Sequence, residues 1–139
     1  MAKTRISPAL RAVILERAQA RCEYCQVPEE SELTDYEVDH IIAEQHGGVT
    51  ELENLAYACF ECNRYKGPNL TSIDPHSNEV VLLFNPRTQQ WRDHFTLQND
   101  GVIVPCSAVG RATARLLHFD NALRRQQRAD LIAAGRMSV

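Results

Sequence analysis

Cys22-x-x-Cys25 and Cys59-x-x-Cys62 bracket Asp39-His40 and Asn54, and Asn63 and Lys66 follow within a few residues. A Cys-x-x-Cys turn brings two sulfurs to one tetrahedral ion at about 2.3 Å each. Two such pairs complete four-coordination with no open position, the arrangement of a structural zinc site. Catalysis therefore falls to other ligands. Asp, His and Asn are the side chains that a magnesium-dependent phosphodiesterase needs beside such a site. The 33 residues between the pairs exceed the common zinc-ribbon spacing, so something folds inside the gap, and it contains Asp39, His40 and Asn54.

The bulk numbers set the frame. A chain of 139 residues is one domain by length, and 44% apolar with 24% charged residues is an ordinary globular composition. No apolar run approaches a membrane span, and no apolar signal-peptide stretch follows the basic Met1–Arg5 start. A cytoplasmic location is the default expectation, and in a reducing compartment paired cysteines read as metal ligands rather than disulfides. Cys106 stands alone after Val102-Ile103-Val104 and is expected to be a partly buried small hydrophobe. The net charge of −3 is unevenly spread. Residues 1–21 carry five basic and one acidic side chain, residues 22–106 four and fifteen, and residues 107–139 six and two. Basic ends suit phosphate and an acidic middle suits a divalent cation, although exposed helices also carry Arg for solubility alone.

Ser7-Pro8 predicts a helix start, and Leu10, Val13, Ile14 and Ala18 continue it over 8–20. Strands are expected at 36–42 and 55–58, separated by a loop with Gly47-Gly48. A short helix over 59–66 ends at Gly67-Pro68. Beyond it, strands are expected at 79–84, 91–97 and 102–104, and helices at 107–118 and 120–134. Trp91 and Phe95 read as core, and the five arginines from Arg111 to Arg128 as either a DNA-tracking or a solvated face.

Val38-Asp39-His40-Ile41, Glu53-Asn54-Leu55 and Cys59-x-x-Cys62-Asn63-x-x-Lys66-Gly67 together resemble the HNH endonucleases of the ββα-metal (His-Me finger) type. The resemblance covers about residues 20–68. It implies an α+β fold: a ββα-metal core with an N-terminal helix and a C-terminal strand-plus-helix extension. The chain is expected to be a single domain, 1–139, with the core at about 20–68 and the extension at about 69–139. The implied activity is metal-dependent hydrolysis of DNA phosphodiester bonds. His40 would be the general base, and Asp39 and Asn63 the ligands of a catalytic Mg²⁺ or Mn²⁺. Asn54 would tie the loop and keep His40 oriented, and Lys66 would contact substrate phosphate. Cys22, Cys25, Cys59 and Cys62 would hold structural Zn²⁺. Asn63 stands where the family often has histidine, and its amide oxygen favours a harder ion. His46, beside Gly47-Gly48, is a weaker candidate for the metal.

Phe84-Asn85-Pro86-Arg87, Trp91 and His94-Phe95 resemble stretches of uncharacterised bacterial HNH proteins and imply no mechanism. Two other functions compete: a non-catalytic zinc-stabilised nucleic-acid-binding module, and a protein-interaction zinc module docking a basic partner. The second leaves Asp39, His40, Asn54, Asn63 and Lys66 without a role. The expected partner is nucleic acid, DNA before RNA, with no membrane; cutting both strands calls for a homodimer or two successive events.

Overall fold

Ser7 opens the first helix, α1 (Pro8–Arg17): its Oγ accepts from the Leu10 N–H at 3.2 Å, and Pro8 fills the first helical position. The computed structural model describes residues 4–139; Lys3 and the rest of the basic start before Thr4 lie outside the described residues. The helix ends short of residue 20 because Gln19 and Ala20 turn left-handed, at φ 56° and 54°. Ala20 N–H reaches back to Leu15 O and Gln19 N–H to Glu16 O, both at 3.0 Å. This is a Schellman closure made without glycine, and it delivers the chain to Cys22.

The described residues form an α+β fold of four α-helices and three two-stranded antiparallel sheets. They divide into two compact units: residues up to Leu70 together with Asn85–Thr88, and Thr71–Phe84 together with Gln89–Val139.

In the first unit β1 (Glu37–His40) pairs antiparallel with β2 (Leu55–Ala58), with Asp39 opposite Ala56 and His40 opposite Leu55. All four residues of β2 are buried, between the pairing strand and α1, which packs on it. β2 runs directly into Cys59 and α2 (Phe60–Lys66), which packs against β1. Strand, strand, helix is the ββα core. The first strand is shorter than the predicted 36–42 because Ile42 gives its N–H and C=O to the Asn54 side chain instead of to β2. Ile14, Val27, Tyr36, Val38, Leu55 and Tyr57 form the apolar core of this unit. Two N-terminal arginines are absorbed structurally: Arg11 donates to Tyr36 O at 2.5 Å, and Arg17 to Leu52 O and Leu55 O at 2.9 and 2.6 Å.

The second unit holds two hairpins, β3 (Thr71–Ile73) with β4 (Val80–Leu82) and β5 (Phe95–Leu97) with β6 (Ile103–Pro105). Two helices follow, α3 (Ala108–Leu116) and α4 (Ala122–Ala133). α3 packs on β3, β4 and β6, and Phe84, Phe95, Ile103, Leu117 and Phe119 are buried. Residues 91–93 are a 3₁₀ turn rather than strand, with the Trp91 ring 5.0 Å from that of Phe95, so this pair is packing as expected. Cys106 departs from its expectation: it is exposed, because it lies one residue past β6, where the burial alternation of the strand has ended.

The C-terminal arginines are largely committed inside the unit. Arg128 is fully buried and donates to Gly101 O and Phe119 O, Arg124 is buried, and Arg125 pairs with Asp100 at 3.3 Å. Arg111 makes a bidentate pair with Asp74 at 2.8 and 2.9 Å. The set is therefore not a continuous phosphate-tracking face. Arg111 foremost, with donors from His76 N and Ser77 Oγ, holds the Asp74 carboxyl well below the ordinary carboxylate range. A depressed folded pKa gives stability that is complete above the unfolded value of about 3.9 and drains as pH falls toward the folded one. Asp74→Asn is thus expected to be destabilised at pH 7, with the gap to wild type narrowing below about pH 4. Urea melts at pH 7 and pH 3 check this, and an equal gap at both would contradict it.

Candidate active site and metal centre

The four cysteines converge because each pair sits on a turn locked by the ββα core. Cys22 and Cys25 follow the closure of α1, and Cys59 and Cys62 span the junction of β2 and α2. Their sulfurs all lie within 4.8 Å of one another, and all four residues are buried. Cys25 Sγ and Cys59 Sγ are 3.8 Å apart, the edge of a tetrahedron whose centre lies about 2.3 Å from each sulfur. The Cys25 N–H points at Cys22 Sγ (3.4 Å) and the Cys62 N–H at Cys59 Sγ (3.3 Å), donors that suit thiolates. Burial foremost pushes the Cys22 thiol well above its ordinary pKa, and hydrogen bonding to Cys22, Cys25 and Cys59 does the same for Cys62. Such thiols ionise only when a cation supplies the compensating charge, so the donor set fits Zn²⁺. No disulfide joins any two of the four.

Asp39 and His40, side by side on β1, are both buried and both line a cavity of about 180 Å³ whose other walls include Glu44 and Gly67. His40 Nε2 lies 2.9 Å from Thr50 Oγ1 and 3.2 Å from Glu44 Oε1. Thr50 spends its hydroxyl proton on Glu44 Oε1 at 3.1 Å. Both neighbours of Nε2 are therefore acceptors, and Nε2 must carry the proton. In the neutral ring that leaves a lone pair on Nδ1, which is buried and has no hydrogen-bond partner. A buried, unsatisfied nitrogen is uncommon enough to require an explanation. Glu44 and Thr50 were not singled out in the sequence; Glu44 lies four residues beyond His40, and that spacing gives no cue when the first of the pair is on a strand.

Asn54 staples the loop between the strands. Its Oδ1 accepts from Ile42 N, and its Nδ2 donates to Ile42 O and Val49 O, all at 2.9 Å. Gly48 makes room for this: a Cβ there would stand 1.6 Å from Ile42 O and 2.9 Å from Asn54 Nδ2. Asn54→Ala would leave three backbone groups without partners. It is expected to destabilise the protein by about 1–3 kcal/mol, read in a urea melt; an unchanged midpoint would contradict the stapling account.

Lys66, expected to contact substrate phosphate, is buried, at 2% exposed. Its Nζ stands 3.1 Å from Asp39 Oδ2 and donates to Ile41 O at 3.0 Å and His40 O at 3.3 Å. Three or four residues along a helix gives a face, not a depth, and this face turns inward against β1. Tyr24 reaches the same carboxylate, donating to Asp39 Oδ2 at 2.8 Å. Burial, then the Asp39 charge, pushes its hydroxyl well above the ordinary phenol value, so it remains a donor. Asn63 lies on α2, half-buried, one residue past Cys62. His46 is exposed and is not among the residues lining the cavity. Asn63 is likewise not among the residues lining the cavity, so of the two expected ligands only Asp39 is found there.

A two-stranded antiparallel ribbon, a short helix and a four-cysteine cluster at the helix start define a ββα-metal core. Residues 22–69, about a third of the chain, match the family model described as HNH endonuclease. The matched segment is also the one that carries the candidate zinc site. No curated protein and no solved structure matches the chain. Among the described residues no helix is long and apolar enough to cross a membrane.

Proposed function

We propose that the protein is a metal-dependent endonuclease hydrolysing DNA phosphodiester bonds, with His40 as general base. The observation that carries this is the buried, unpartnered Nδ1 of His40 in a residue lining the same cavity as Asp39. With Nε2–H held by Thr50 and Glu44, Nδ1 accepts a proton from water as the water oxygen bonds to phosphorus. The bond from phosphorus to the 3′-oxygen breaks, leaving a 5′-phosphate on one end and, after protonation from solvent, a 3′-hydroxyl on the other. Asp39 and Asn63 hold the divalent ion, Mg²⁺ or Mn²⁺, which when bound supplies positive charge to the scissile phosphate and the leaving oxygen.

Asn54 acts at a distance, by fixing the loop that carries Glu44 and Thr50. Lys66 enters with a changed role: buried against Asp39, it balances the carboxylate rather than meeting the substrate. The four cysteines hold structural Zn²⁺, in keeping with a reducing, cytoplasmic setting. Homodimerisation is one route to cutting both strands. Cleavage of plasmid DNA by the zinc-loaded protein, with and without added Mg²⁺ or Mn²⁺, is the experiment that tests it.

A further inference from the structure

Tyr24 lies inside the first zinc turn, Cys22-Glu23-Tyr24-Cys25, and is 1% exposed. Its hydroxyl reaches across to β1 and donates to Asp39 Oδ2 at 2.8 Å. The second turn reaches the same carboxylate: Cys59 caps α2, and one helical turn after Cys62 the same helix presents Lys66 Nζ 3.1 Å from Asp39 Oδ2. Each half of the four-cysteine centre thus carries one residue that grips Asp39. A carboxylate's terminal torsion is soft and settles only when partners fix it. Oδ2 accepts from Tyr24 and Oδ1 accepts from Lys66 Nζ at 3.4 Å, so the two grips hold both oxygens of the carboxylate.

We infer that the four-cysteine centre sets the geometry of the ion-binding carboxylate, and that Tyr24 is a positioning residue for the divalent ion at Asp39. This rests on the reading of Asp39 as an ion ligand. The zinc is then not only a staple for the fold. It anchors the turn whose phenol fixes the orientation of the carboxylate that the ion meets. Partners of this kind typically change metal affinity by about 10–100-fold.

Tyr24→Phe removes one hydroxyl and nearly no volume. The test compares zinc-loaded wild type, Tyr24→Phe and Asp39→Ala by Mn²⁺ binding, read from the free-Mn²⁺ signal in electron paramagnetic resonance. Zinc content and melting temperature are measured alongside. Tyr24→Phe is expected to keep its zinc and to bind Mn²⁺ about 10–100-fold more weakly, with any cleavage loss restored by raising Mn²⁺. Asp39→Ala is expected to lose the site. Wild-type Mn²⁺ binding by Tyr24→Phe, alongside a defective Asp39→Ala, would overturn the positioning role and leave the ligand assignment standing. Wild-type binding by Asp39→Ala would overturn that assignment and this inference with it. Loss of zinc from Tyr24→Phe would make the tyrosine a structural part of the turn, and would also overturn the inference.

Discussion

Cys59→Ser is expected to lose zinc and unfold the ββα unit. Cys59 has two duties: its sulfur is one of four converging donors, and it caps α2 by accepting from the Cys62 N–H. Serine keeps a capping oxygen but removes a soft, charged ligand, so the loss falls on the metal. Structural zinc in small modules contributes an apparent 10–16 kcal/mol or so at neutral pH. That is as large as the whole stability of a typical domain, about 5–15 kcal/mol. A seven-residue helix such as α2 has little stability of its own to fall back on. Metal analysis and a thermal melt followed by circular dichroism check this. A Cys59→Ser protein that keeps its zinc and melts as wild type does would remove the zinc centre from the account.

His40→Ala should behave in the opposite way, losing cleavage and keeping the fold. General-base assistance is worth about 10²–10⁴ in rate, so the variant is expected to fall by at least about a hundredfold. Its zinc content should be unchanged, because no hydrogen bond of His40 runs to the cysteine turns; its ring nitrogen bonds to Thr50 and lies beside Glu44. The side chain is 3% exposed, so the alanine leaves a small void that costs some stability without touching the metal. Single-turnover cleavage at saturating Mg²⁺, beside a zinc assay, separates the two effects. A wild-type rate would show that His40 is not the base.

The two variants also mark what the sequence alone conveys. The cysteine centre is legible because each pair is local, and the α+β core is legible because strand, loop and strand stand in order between the pairs and the helix starts at the second pair. The surroundings of the site are not legible. Tyr24 meets Asp39 across 15 residues and Lys66 meets it across 27, and only the pairing of β1 with β2 and the packing of α2 bring them together. Spacing put Lys66 on a helix face but gave no sign that this face is buried. The arginines near the C-terminus read as a possible nucleic-acid surface because charge is visible in a sequence and its partner is not; Asp74 lies 37 residues from the Arg111 it holds. Strand β3 went unpredicted because three residues, two of them exposed, offer too short a pattern. Residues 91–93 became a 3₁₀ turn because the Trp91 and Phe95 rings pack together, a tertiary preference that overrides strand propensity.

Incubation of supercoiled plasmid with the zinc-loaded protein in EDTA, Mg²⁺ and Mn²⁺, with His40→Ala in parallel, bears most directly on the central claim. The account expects nicked or linear product in Mg²⁺ or Mn²⁺, little or none in EDTA, and a loss of at least about a hundredfold in His40→Ala. No product from a folded, zinc-loaded wild type, or equal product from His40→Ala, would contradict it and favour a zinc-stabilised module that binds nucleic acid without cutting it.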